Sequence, residues 1–80
     1  MEFGHLKWFS TEKGYGFITP EGKGADVFVH ISTLESSGIR PDELRGEDKA
    51  NGKKGQKVGY DLIKNREGKI SAKNLKLLEN

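Results

Sequence analysis

At 80 residues the chain has room for one domain, residues 1–80, and a domain this short buries only about 60% of the surface its unfolded chain exposes. Hydrophobic and charged residues each make up 32%, cysteine is absent, and no apolar run reaches the ~20 residues of a membrane span. A disulfide framework, a thiolate metal site and a membrane-spanning helix are excluded, and a deep catalytic cleft is disfavoured because little interior is available to build one. The net charge of +2 is unevenly spread: residues 1–40 hold four basic and five acidic residues, residues 41–80 ten and seven. The second half suits a polyanion without demanding one. The aromatics are more lopsided still, with six of seven between Phe3 and Phe28.

Gly4–Ser10 reads as a first strand, Leu6 facing one way and Lys7 the other, with a bulge expected where Trp8 and Phe9 break the alternation. Ser10–Gly14 is a turn. Tyr15–Thr19 is a second strand, closed by Pro20 and a turn over Glu21–Gly24. In the third, Asp26–Ile31, Val27, Val29 and Ile31 share one parity and Phe28 and His30 the other. Ser32–Leu34 begins a short helical turn. Glu35–Lys54 is a long polar stretch, of a length that marks either function or mobility, with one helical turn expected at Pro41–Arg45. Gly55–Leu62 is a fourth strand with Val58, Tyr60 and Leu62 on one face, and Asn65–Gly68 is a hairpin turn. Lys69–Leu77 is a fifth, with Ile70 and Ala72 inward and Leu75 or Leu77 rejoining the core after a bend. A helical reading of Lys73–Asn80 is the alternative. Five short strands separated by turns predict an all-β, closed or nearly closed antiparallel barrel, and closure removes exposed edges.

The core needs only one face of strands two and three, and Ile18, Val27 and Val29 supply it. Tyr15, Phe17, Phe28 and His30 then share the opposite face, where a cluster of rings has no packing role and marks a binding site. Every base has a π-face, so such a row suits single-stranded nucleic acid with little sequence demand. Lys7 and Lys13 flank the rings and suit phosphates. Gly14 and Gly16 alternate with the rings, where a side chain would crowd the neighbouring strand or the ligand.

The run Lys7–Ile18, with Lys13-Gly14-Tyr15-Gly16-Phe17-Ile18 inside it, and the run Asp26–Ser32 resemble the two ribonucleoprotein motifs of the bacterial cold-shock domain. Gly55–Val58 and Ala72–Leu75 resemble its fourth and fifth strands. The resemblance implies a five-stranded Greek-key oligonucleotide/oligosaccharide-binding barrel that binds single-stranded RNA and DNA; the long loop between strands three and four, Glu35–Lys54, lies outside the resemblance and exceeds the family norm. It implies stacking residues Trp8, Tyr15, Phe17, Phe28 and His30, polar and phosphate contacts Lys7, Ser10, Lys13 and Arg66, and service as an RNA chaperone or transcription antiterminator. The chain departs from the pattern at Ile31 and Ile39, where many members carry aromatics, so a shorter and weaker stacking surface is expected.

For the Lys49–Lys57 cluster, Glu47 and Asp48 alongside favour a solvated loop. A protein-interaction barrel using the long loop is the competing function. Enzymatic activity is not expected: Ser10, Ser32 and Ser71 have only two histidines to draw on, and paired carboxylates fall in turns. No metal, cofactor or membrane partner is implied. The N-terminus lacks the regions of an export signal, so a cytoplasmic location is expected. A monomer is expected too, with exchange of strands between copies left open by the long loop.

Overall fold

Apolar residues at alternate positions commit the chain to strands. The computed structural model, which describes residues 1–22 and 24–78, contains five: β1 (Glu2–Ser10), β2 (Tyr15–Pro20), β3 (Val27–His30), β4 (Lys57–Lys64) and β5 (Ile70–Leu77). They close into a barrel in the order β1-β2-β3-β5-β4. All neighbours are antiparallel except β3 and β5, which meet in parallel at the single pair Phe28 and Ser71. The barrel therefore closes through one parallel contact. Lys23, in the turn expected over Glu21–Gly24, and Glu79 and Asn80 lie outside the described residues. Among the described residues no helix is long and apolar enough to cross a membrane.

The inward face of the strands makes the core: Leu6, Ile18, Val27, Val29, Val58, Tyr60, Ala72 and Leu75 are all buried. Leu34 and Ile39 join them from outside the barrel strands, and Phe9, Leu44, Ile70 and Leu77 pack against the rim of this cluster. Burying each aliphatic side chain contributes about 1.5–3 kcal/mol relative to leaving it exposed.

Three expectations shift. Leu62 shares the parity of Val58 and Tyr60 and stands opposite the buried Ala72, yet it is 48% exposed. The β4–β5 pairing slips between Gly59 and Asp61. The extra residue lies on β5: Asn74 takes a left-handed φ of 53°, which asparagine tolerates, and its Nδ2 donates to Asp61 Oδ2 at 3.1 Å. That bend lets both Ala72 and Leu75, three apart, point inward. Ile31 does not extend β3. It opens helix α1 (Ile31–Ser36), which Thr33 ties to β5 through a hydrogen bond to the Ala72 carbonyl at 3.3 Å.

The long polar stretch is the third. After α1 the chain turns at Gly38 and drives Ile39 into the core, its N–H donating to the Leu34 carbonyl at 2.9 Å. A single 3-10 turn follows at Pro41–Glu43, and Leu44 packs against the core. Beyond it, Asp48 and Lys53 pair across a small hairpin. The segment is thus pinned at Ile39 and Leu44 and projects only at that hairpin.

Candidate nucleic-acid interface

Leu6 and Trp8 have the same parity, so an unbroken β1 would point both into the barrel. Leu6 is 1% exposed and Trp8 39%. The cause is a register shift between them, with Lys7 as the extra residue opposite β2. The bulge falls at Lys7, one residue before the expected place. It turns Trp8 outward and leaves Phe9 to pack on the core rim.

With Trp8 outward, pairing assembles the face. Trp8 stands opposite Phe17, Phe17 opposite Phe28, and Tyr15 opposite His30. Ring centroids lie 5.4 Å apart for Trp8–Phe17, 5.8 Å for Phe17–Phe28, 5.5 Å for Tyr15–Phe28 and 6.3 Å for Phe28–His30. Phe17 meets both Trp8 and Phe28 edge-on, within the spacing that favours aromatic pairs. All five rings expected from the sequence thus form one continuous row over β1, β2 and β3. His30 is exposed, and Tyr15, Phe17 and Phe28 are half-buried by one another.

Gly16 makes the row possible. A Cβ there would collide with the Trp8 carbonyl oxygen and stand 2.8 Å from Phe9 Cα, so any larger residue would push β1 away from β2. Gly14 serves differently: its φ of 77° shapes the turn into β2, and the space beside it is ordinary.

His30 is also the N-cap of α1. Its Nδ1 lies 3.1 Å from the Ser32 N–H, which can only donate. Nδ1 is therefore unprotonated in this arrangement, and the neutral ring carries its hydrogen on Nε2. The cap fixes the ring where it continues the row.

The polar residues divide. Lys7 Nζ reaches across the end of β2 to Asp26 Oδ2 at 2.8 Å. The hydrogen bond and charge of Asp26 hold the Lys7 ammonium above its ordinary value against the opposing effect of burial, with a lesser contribution from the charge of Glu47. The Lys7 charge is thus already partnered on this face. Ser10 Oγ accepts the Lys13 N–H at 3.2 Å, so its hydroxyl helps to close the turn. Lys13 is exposed on that turn, two residues before Tyr15, and Arg66 is exposed in the β4–β5 turn, outside the ring group.

Beside Phe17 and Phe28 lies an open cavity of ≈ 650 Å³, whose other walls include Asp26, Asn65, Lys69 and Ser71. These four are neighbours the sequence reading did not assign to the face. The contribution of Asn65, Lys69 and Ser71 depends on β5 lying beside β3, which no local periodicity announces. Ile39, expected at the edge of the stacking surface, sits instead in the core.

The closed five-stranded barrel with a half-exposed aromatic sheet face defines the oligonucleotide/oligosaccharide-binding class. Residues 2–78 match the family described as the 'Cold-shock' DNA-binding domain, and the chain belongs to that family. It is 50% identical over 76 residues to the probable cold shock protein y4cH of Sinorhizobium fredii, covering 94% of this chain and 96% of that one. It is 42% identical over 77 residues to cold shock protein CspA of Rhizobium meliloti, covering 95% and 97%. It is 38% identical over 77 residues to cold shock protein CspB of Bacillus caldolyticus, covering 96% and 100%. Membership carries nucleic-acid binding with it.

Proposed function

We propose that the chain binds single-stranded RNA and DNA by stacking successive bases on Trp8, Tyr15, Phe17, Phe28 and His30, and so acts as an RNA chaperone or antiterminator. The observation that carries this reading is the bulge at Lys7, which adds Trp8 to an otherwise β2–β3 ring cluster at the cost of a regular strand. Stacking of this kind contributes about 1–3 kcal/mol per base and tolerates any sequence. A duplex keeps its bases stacked on each other and offers no free π-face to such a row. Holding bases apart on protein rings opposes hairpin formation in a transcript, which is the physical basis of chaperone action. Lys13 and Arg66 supply exposed cations for phosphates, and Lys7 does so once Asp26 releases it. Binding alone accounts for these roles, and no catalytic step is needed.

The test is Trp8 fluorescence titrated with oligothymidylate, oligouridylate and a duplex. Saturable quenching by both single strands, with much weaker binding of the duplex, is expected. Equal binding of the duplex would overturn the proposal.

A further inference from the structure

The ring row crosses the sheet from β3 through β2 to Trp8 on β1, and the question is what lies beyond Trp8. It is not β4, which pairs with β1 only over Glu2–His5. The place is taken by the segment after Leu44. Glu47 N–H donates to the Lys7 carbonyl at 3.0 Å, and Gln56 N–H to the Arg45 carbonyl at 2.7 Å. A Cβ added to Gly46 would stand 3.0 Å from the Lys7 oxygen and 3.3 Å from Trp8 Cα. Arg45–Glu47 is therefore the next stretch of backbone after Trp8 in the direction of the row.

From there the chain enters the small hairpin. Asp48 and Lys53 exchange backbone hydrogen bonds at 2.8 and 2.9 Å. The Asp48 carboxylate is spent inside the hairpin, accepting from the Asn51 backbone at 3.2 Å and from Asn51 Nδ2 at 2.7 Å. Glu47 is partly covered and faces Lys49 at 3.8 Å. Four exposed basic residues, Arg45, Lys49, Lys53 and Lys54, stand against these two acids, of which Glu47 is paired with Lys49 itself. From sequence alone those acids argued for an inert solvated loop. In the fold the hairpin is anchored beside Trp8 through the Glu47 N–H to the Lys7 carbonyl, and its four cations exceed its two acids.

We infer that the Arg45–Lys54 hairpin is a phosphate-binding extension of the single-strand site, which engages the backbone of nucleotides running past Trp8. The inference rests on the stacking reading above and adds to it a length: oligonucleotides confined to the rings do not feel the hairpin, and longer ones do. Stacking at the rings fixes the bases, and the hairpin holds the phosphates of the strand that leaves them.

The test compares tetrathymidylate with decathymidylate on the full chain and on the triple variant Lys49→Gln, Lys53→Gln, Lys54→Gln, by Trp8 quenching at several salt concentrations. All three side chains are exposed, and their removal spares the backbone bonds of the hairpin, so the thermal midpoint serves as the check on folding. The expected result is unchanged tetrathymidylate binding. For decathymidylate, affinity falls and the slope of log K against log salt becomes shallower by about 0.7 for each lysine that meets a phosphate. An unchanged decathymidylate slope, or an equal loss for both oligomers, overturns the extension while leaving stacking in place. Wild-type protein whose Trp8 responds to neither oligomer removes the stacking reading, and this inference with it.

Discussion

The two faces of β1–β3 are built from alternate residues of the same strands, yet they are held to different standards. Leu6, Ile18, Val27 and Val29 are sealed within the barrel, none more than 2% exposed. Trp8, Tyr15, Phe17, Phe28 and His30 are larger and ring-bearing but remain open or half-open to solvent. A chain limited by core size would be expected to bury its largest apolar groups first. This chain instead fills its core with aliphatics and one tyrosine, Tyr60, and spends a β-bulge to bring a tryptophan out. The difference teaches that the inner face is sealed by packing while the outer face, the proposed binding surface, is left open, so the two can be separated by mutation.

The sharpest break is on the inner face. Ile18→Ala leaves a cavity at a fully buried position and is expected to cost about 2–5 kcal/mol in urea unfolding, a large share of what a domain this small possesses. On the outer face, Phe28→Ala is expected to weaken oligothymidylate binding by about 1–3 kcal/mol, roughly 5- to 150-fold, while unfolding shifts less than in Ile18→Ala. Comparable loss of stability from both would erase the distinction. Asp26→Asn probes the charge beside the rings. It frees Lys7 for phosphate, so affinity at low salt should rise and the salt slope should steepen by about 0.7. A weaker complex would show instead that the carboxylate itself contacts the ligand.

The smallest effect comes from Tyr60, the aromatic that did go inside. Burial, and then the charges of Glu2 and Glu21, push its phenol above the usual 10.0. The folded state therefore keeps this proton to higher pH than the unfolded chain does. The stability contributed by the neutral phenol is complete below the usual value and is lost as pH climbs from there through the raised folded value. Tyr60→Phe should flatten the alkaline decline in unfolding free energy relative to wild type, and an identical decline in both would contradict the assignment.

The inner face was largely legible because period-2 alternation reports which side of a strand is apolar. It placed Ile18, Val27, Val29, Val58 and Tyr60 correctly, and with them the outward rings of β2 and β3. It failed where a strand gains a residue. Trp8 shares the parity of Leu6 but is turned outward by a β1 bulge that sits at Lys7 rather than at Trp8–Phe9, and Leu62 follows the parity of Tyr60 yet lies exposed opposite Ala72. Contacts between elements distant in sequence were hidden as well. Asn65, Lys69 and Ser71 border the face only because β5 lies beside β3, and Ile39 enters the core only because α1 aims it there. The stretch from Glu35 to Lys54 looked uniformly polar, so its two anchors, Ile39 and Leu44, passed for loop residues.

The central claim, that the outward rings are where a single strand binds, is tested most directly by following the amide and indole signals of the labelled protein by nuclear magnetic resonance as hexathymidylate is added. The account predicts that the Trp8 indole and the amides of Tyr15, Phe17, Phe28 and His30 move most, while Gly59 and Lys76, paired between β4 and β5, stay in place. Movement centred on Gly59 and Lys76 with the five ring residues unmoved would contradict it.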